Sequence, residues 1–157
     1  MAGPAQSYLL DTNVLLRLYQ PNSPEFSSIR RTVNSLYRAN ATLYYLSQNI
    51  IEFWNVSTRP LAQNGYGLSP AETDEVAKQM EKAFTLLPDV EAIHHEWRRL
   101  VSAYGVSSAK VHDARIVAAM IVHGVRQILT LDGGDFESLH GDCGCASTKY
   151  PSITIYD

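Results

Sequence analysis

The sequence predicts an α/β protein, a three-layer α/β/α sandwich with a largely parallel central sheet of about five strands. Three observations predict it. Short apolar or β-branched runs alternate with segments of helical period, the order expected when helices join parallel strands. Of the 157 residues, 45% are hydrophobic and 18% charged, enough apolar side chains to cover a sheet on both faces. Acidic residues recur just beyond the strands, where open sheets of this kind build their sites.

Taken in order, residues 8–10 read as a short buried strand ending in Asp11-Thr12-Asn13, a good helix cap, and residues 14–19 as a short helix. Ser23-Pro24-Glu25 has the form of N-cap, proline at the first helical position and early acid, so a helix is expected from there to about Asn40. "TLYYL" (42–46) is β-branched and aromatic, a strand, and a helix follows over 48–58 until Pro60 stops it. Within it Asn49 and Glu52 stand at the spacing of a capping box. "QNGYGL" (63–68) carries turn signals, and Ser69-Pro70-Ala71-Glu72 is a complete helix start, with Val76, Met80 and Phe84 on one face of that helix. "TLLP" (85–88) is a short strand. Ile93, Trp97, Leu100, Val101 and Tyr104 mark an amphipathic helix stopped by Gly105. Residues 111–123 form another helix with Gly124 just past its end, and strands follow over 127–131 and 153–156.

The length favours one domain over 1–157, with a core of about 7–156. A net charge of −3 argues against a general basic coat for nucleic acid, though not against a local basic patch. Cys143 and Cys145, one residue apart, close no stabilising loop, so a reduced, intracellular protein is expected. No apolar run approaches the roughly 18–20 residues that span a bilayer, and residues 1–7 lack the regions of a signal peptide. A soluble, cytoplasmic chain without a membrane partner follows.

The acids carry the chemistry. Asp11 follows the first strand; Glu52 lies on the helix after the second; Asp113 opens the helix over 111–123; Asp132 and Asp135 follow the strand over 127–131. Taken singly, each has an ordinary explanation: Asp11 as N-cap, Asp113 complementing a helix dipole, Glu52 as half of a capping box. Gathered at one edge they would repel, and a hard divalent cation relieves that repulsion. Mg²⁺ takes oxygen ligands and keeps waters, and Mn²⁺ suits the same set. A metal so held activates water and stabilises charge on a phosphoryl oxygen.

Four stretches in this order resemble the PIN domain, and within it the ribonuclease toxins of VapC-like toxin–antitoxin pairs. They are "LLDTNVLL" (9–16), "SQNIIEFWNV" (47–56), "HDARIVAAMIVHGVRQILTLDGGDF" (112–136) and the closing "ITI". The resemblance extends from about residue 7 to 156 and implies an endoribonuclease dependent on Mg²⁺ or Mn²⁺. It makes Asp11, Glu52, Asp113 and Asp135 the catalytic, metal-holding acids. Thr12 or Asn13 would support the first acid, and Thr130 would be a polar neighbour behind it. Asp132 stands where many relatives have asparagine or serine; it is either a further metal ligand or an acceptor behind the ligands. "SSAK" before Val111 is less glycine-rich than in close relatives. A toxin of this kind would pair with an antitoxin protein and form a homodimer.

Arg17, Arg59, Lys110 and Arg115 lie next to the acidic motifs in sequence and are candidate RNA phosphate contacts, or else solvated helix residues. The nine tyrosines offer rings for stacking on RNA bases, though Tyr44 and Tyr45 read as core and rim. His94 and His95 read as surface and boundary residues, and His112 as a structural or substrate-touching neighbour of Asp113. Cys143 and Cys145 with His140 and Asp142 form at best a cramped zinc site. The competing readings are a non-catalytic PIN-fold module that binds RNA or protein, and a phosphohydrolase of small esters. Retention of all four acids favours the nuclease over the first. No Gly-rich phosphate loop supports the second.

Overall fold

The computed structural model describes residues 6–133, Phe136 and, as backbone, the strand Ser152–Ile155. Its strands are β1 (Ser7–Leu10), β2 (Thr42–Tyr45), β3 (Thr85–Leu86), β4 (Gln127–Thr130) and β5 (Ser152–Ile155). Its helices are α1 (Thr12–Leu18), α2 (Phe26–Arg38), α3 (Ser47–Thr58), α4 (Pro70–Ala83), α5 (Glu91–Ala103) and α6 (Lys110–His123), with a 3-10 turn at Leu61–Gln63.

The sheet has the order β3-β2-β1-β4-β5, and every neighbouring pair is parallel. Successive side chains of a strand point to opposite faces, and here both faces are apolar. Leu9 and Ile128 pack with Ile93, Leu100, Ile116 and Phe136 on the α5–α6 face. Tyr8, Leu10 and Leu129 pack with Val14, Ile29, Phe53 and Met80 on the α1–α4 face. That is why residues 8–10 of β1 and 128–129 of β4 are consecutive apolar side chains. On α6, Ala114, Ala118 and Ala119 are fully buried, small enough to let that helix lie close against its neighbours.

The local signals mostly act as expected. Ser69 Oγ accepts from the Glu72 N–H while the Glu72 carboxylate accepts from the Ser69 N–H, a complete capping box on α4. Gly124 ends α6 at φ +68°, a left-handed position that suits glycine.

Two expectations are corrected. Ser23-Pro24-Glu25 forms a turn closed by Phe26 N–H on the Ser23 carbonyl, and α2 starts only at Phe26. The proline angle that opens a helix also serves the second position of a turn, and here the turn wins. Asn49 and Glu52 do not cap one another. Because α3 begins at Ser47, Asn49 is the third helical residue, and its Oδ1 accepts from the Leu46 N–H at 2.7 Å. Glu52 is thereby left for other partners.

Strand connection runs outward from β1 through β2 to β3, then restarts on the other side of β1 with β4. The reversal opens a crevice at the carboxyl ends of β1 and β4, the place where open parallel sheets bind ligands. Among the described residues no helix is long and apolar enough to cross a membrane.

Candidate functional site

Asp11 is the residue after β1, at the lip of that crevice. Its N–H donates to the Leu129 carbonyl of β4, and its extended backbone caps α1 while Oδ1 accepts from the Thr12 N–H at 2.7 Å. Oδ2 accepts from the Thr130 hydroxyl, also at 2.7 Å. Thr130 Oγ1 in turn accepts from the Asn13 amide at 3.2 Å and from the Asp132 N–H at 3.1 Å. Asn13 Oδ1 accepts from the Leu131 N–H at 3.2 Å, which fixes the start of the loop after β4. Thr130 therefore supports Asp11 directly, and Asn13 does so through it.

Glu52 is reached from the same turn. The Thr12 hydroxyl donates to Glu52 Oε2 at 2.7 Å and accepts from the fully buried Asn49 amide at 3.2 Å. Gln48, four residues before Glu52 on the same face of α3, donates to Oε1 at 2.9 Å and to the His112 carbonyl at 3.1 Å. Its own Oε1 accepts from Arg115 at 3.2 Å, and Arg115 also donates to Asp89 Oδ1 at 2.8 Å. Ser47 donates a short hydrogen bond to the other Asp89 oxygen. A continuous chain of hydrogen bonds thus joins Glu52 to Arg115 and Asp89. Gln48, Ile51, Glu52, Asp89, His112 and Arg115 line an open cleft of about 580 Å³.

Asp113 sits in the first turn of α6, 3.8 Å from the Lys110 ammonium. It is within electrostatic reach of Asp11. Burial pushes the Asp11 carboxyl up to about 6, against the hydrogen bonds from Thr130 and Thr12 that favour its charge; the charges of Asp113 and Glu52 push it further up. Asp89 is held below the usual range by its bond from Ser47 and then by Arg115.

The structure brings Asp11, Glu52, Asp113, Thr12, Asn13 and Thr130 to one edge. Asp132 is exposed there and contributes its backbone N–H to Thr130. Asp135 lies outside the described residues, as do His140, Asp142, Cys143 and Cys145. Of the basic candidates, Arg115 lines the cleft and Lys110 pairs with Asp113. Arg17 instead bonds Gln20 and Tyr66 and pairs with Glu25 at 3.6 Å. Arg59 caps the far end of α3, roughly 10 Å along the helix from Glu52. Sequence reasoning missed Gln48, Asn49 and Asp89. The available signal was the four-residue step from Gln48 to Glu52.

Among the described residues no three His, Cys, Asp or Glu side chains converge on one point closely enough to hold an ion. What stands assembled is two hydrogen-bonded carboxylates with a third in electrostatic reach. The donors are all hard oxygens and their charge is uncompensated at Asp11, which in kind fits Mg²⁺ or Mn²⁺ completed by waters.

The α/β/α sheet with acids at its switch point defines the class, and the family model for the PIN domain matches residues 8–140. The chain belongs to the PIN domain family. No curated protein matches it in sequence. Among solved structures it is similar to VapBC2 from Rickettsia felis, bound to a DNA fragment from their promoter, at 13% identity and TM-score 0.69, covering 97% of this chain and 100% of that one. VapBC-1 from nontypeable Haemophilus influenzae matches at 11% and 0.65, covering 96% and 98%. VapBC-5 from Mycobacterium tuberculosis, of the VapBC family of toxin–antitoxin systems, matches at 18% and 0.56, covering 98% and 100%. At these identities the likeness is one of fold.

Proposed function

We propose that the chain is a single-domain, metal-dependent endoribonuclease and the toxin of a toxin–antitoxin pair. The observation that carries this reading is the hydrogen-bonded arrangement of Asp11 and Glu52 beside Asp113, at the switch point of a PIN-family sheet. Asp11, Glu52 and Asp113, with Asp135, would hold Mg²⁺ or Mn²⁺. The bound ion would neutralise phosphoryl oxygens and make a water nucleophilic at neutral pH.

The chain's own residues do the rest. Thr130 and Thr12 fix both oxygens of Asp11, and Thr12 and Gln48 fix both oxygens of Glu52. Neutral donors hold these carboxylates in place without cancelling their charge. Arg115, oriented by Gln48 and Asp89, presents a guanidinium to the RNA backbone in the adjoining cleft. In-line attack by water leaves a 5′-phosphate and a 3′-hydroxyl; a 2′,3′-cyclic phosphate product would overturn this chemistry.

Likeness to VapBC complexes supports an antitoxin partner; a homodimeric toxin in the cytoplasm is the expectation that goes with the toxin reading. A monomer by light scattering at micromolar concentration would count against the dimer. The function itself is tested by incubating a mixed RNA pool with the purified protein in Mn²⁺, in Mg²⁺ and in EDTA, beside Asp113→Asn. Metal-dependent cutting that the substitution abolishes is expected. Cutting that survives it would remove Asp113 from the site, and a pool left intact in both metals would leave a binding module.

A further inference from the structure

The cleft beside Glu52 continues past Arg115. Arg115 and His112 also form one wall of a second hollow of about 380 Å³, whose other walls are Val90, Ile93, His94 and Trp97. The two hollows differ in chemistry. Glu52 and Asp89 line the first, whereas no carboxylate lines the second.

The indole of Trp97 is fixed in place. Its Nε1–H donates to the Val111 carbonyl at 2.9 Å, so the ring is anchored to the start of α6 and its one donor is used. The exposed His94 ring lies 5.9 Å from it, tilted by 40°. An aromatic wall, an aliphatic floor and a guanidinium at the rim suit a flat ring attached to an anion.

We infer that this hollow is a nucleobase subsite, in which one unpaired base of the RNA stacks on Trp97 beside His94 while Arg115 takes a neighbouring phosphate. The inference rests on the nuclease reading and deepens it, because it fixes the substrate as single-stranded at that nucleotide. A nucleic acid strand alternates base and phosphate, and Arg115 stands at the boundary between the aromatic hollow and the acidic cleft. A base can enter only when splayed out of a duplex. With the indole N–H already bonded, the hollow offers ring faces rather than a fork of donors, so it holds the base by stacking and reads its identity weakly.

Trp54→Phe leaves Trp97 as the sole tryptophan and so as the reporter. In EDTA, a short single-stranded RNA is titrated against this protein, then the same RNA with one abasic ribose moved along its length. Saturable quenching of Trp97 is expected. At one position the abasic ribose should abolish the quench and weaken binding about tenfold, the order of one stacked base. The exposed His94→Ala and the ring-preserving Trp97→Phe should weaken the intact RNA but narrow the difference between intact and abasic RNA. A base-paired version of the same sequence should bind without quenching.

If wild type binds and cuts RNA while Trp97 emission stays constant and no abasic position matters, the subsite is overturned and the nuclease reading stands. The hollow would then belong to a protein side chain. If wild type neither binds nor cuts RNA, both readings fall together.

Discussion

Asp11 and Glu52 are held by neutral donors, whereas Asp113 and Arg115, both on α6, stand beside opposite charges. Thr130, Thr12 and Gln48 tie the first pair through hydrogen bonds of 2.7–2.9 Å. Lys110 stands 3.8 Å from Asp113, and Asp89 lies 2.8 Å from Arg115 near solvent. The difference separates two tasks. Neutral bonds fix a carboxylate and leave its charge intact for a cation. Ion pairs near the surface contribute only about 0–1 kcal/mol, so α6 can exchange them for a phosphate at little cost.

The largest effect should come from the anchored pair. On the nuclease reading, Asp11→Asn removes a charge that the proposed divalent ion would need, and several kcal/mol of transition-state stabilisation correspond to a loss of at least about 10²–10³ in rate. The same substitution should stabilise the metal-free protein. The Asp11 carboxyl titrates at about 6 in the folded chain, above its ordinary 3.8, so the folded state holds that proton more tightly than the unfolded one. Its contribution to stability is fully present below 3.8 and is lost as pH rises through about 6. In EDTA at pH 7.5, Asp11→Asn should exceed wild type by on the order of 3 kcal/mol, a gap that closes near pH 4. Chemical denaturation at the two pH values reads it directly, and a wild type that matches the variant at pH 7.5 would mean the carboxylate is not penalised.

Thr130→Val tests the anchoring itself. It leaves every carboxylate in place but removes the donor to Asp11, and it strands the Asn13 amide and the Asp132 N–H. If Asp11 holds a metal as proposed, loss of such support behind it costs about 10–100-fold in activity or metal affinity. Stranding polar groups should cost about 1–3 kcal/mol of stability. Thr130→Ser should recover both. A fully active Thr130→Val would show that position at Asp11 does not depend on this bond.

At the ion-paired groups of α6 the sign should change. Asp89→Asn weakens the Arg115 pair, at under about 1 kcal/mol of stability. It also removes a negative charge from the surface that, on the nuclease reading, would receive phosphate. RNA should bind about as well or a few-fold better, most visibly at low salt. A tenfold weaker KM for RNA would mean that Asp89 positions Arg115 rather than merely neutralising it.

How much of this was legible in sequence follows from where the information lies. The strands were plain because β1, β2 and β4 are buried or nearly so along their length, and the Ser69–Glu72 box marks α4 by purely local bonds. Asp11 and Asp113 stood out because one follows a strand and the other opens a helix, and Glu52 because it lies on the helix after the second strand. The partners that hold them were not. Thr12 and Glu52 are forty residues apart in sequence, and Thr130 and Asp11 more than a hundred, so only the closed sheet brings them together. Gln48 looked like any polar helix residue until Arg115 was seen against it. Arg17 is close to Asp11 in sequence, but the turn of α1 carries its side chain toward Tyr66 and Glu25.

The smallest effect should fall on Asp132, which the sequence left as either a ligand or an acceptor behind the ligands. Its side chain is exposed, and the atom that enters the network is its backbone N–H, donating to Thr130. Asp132→Asn keeps that bond and changes one exposed charge. Such surface changes stay within about 0.5 kcal/mol, which is about twofold in rate. Wild-type stability and cleavage within that factor, across a Mn²⁺ titration, assign Asp132 to shaping the loop after β4. A hundredfold loss with a matching rise in the metal needed for half activity would instead make it a ligand, and the charge now concentrated on Asp11 would have to be shared with it.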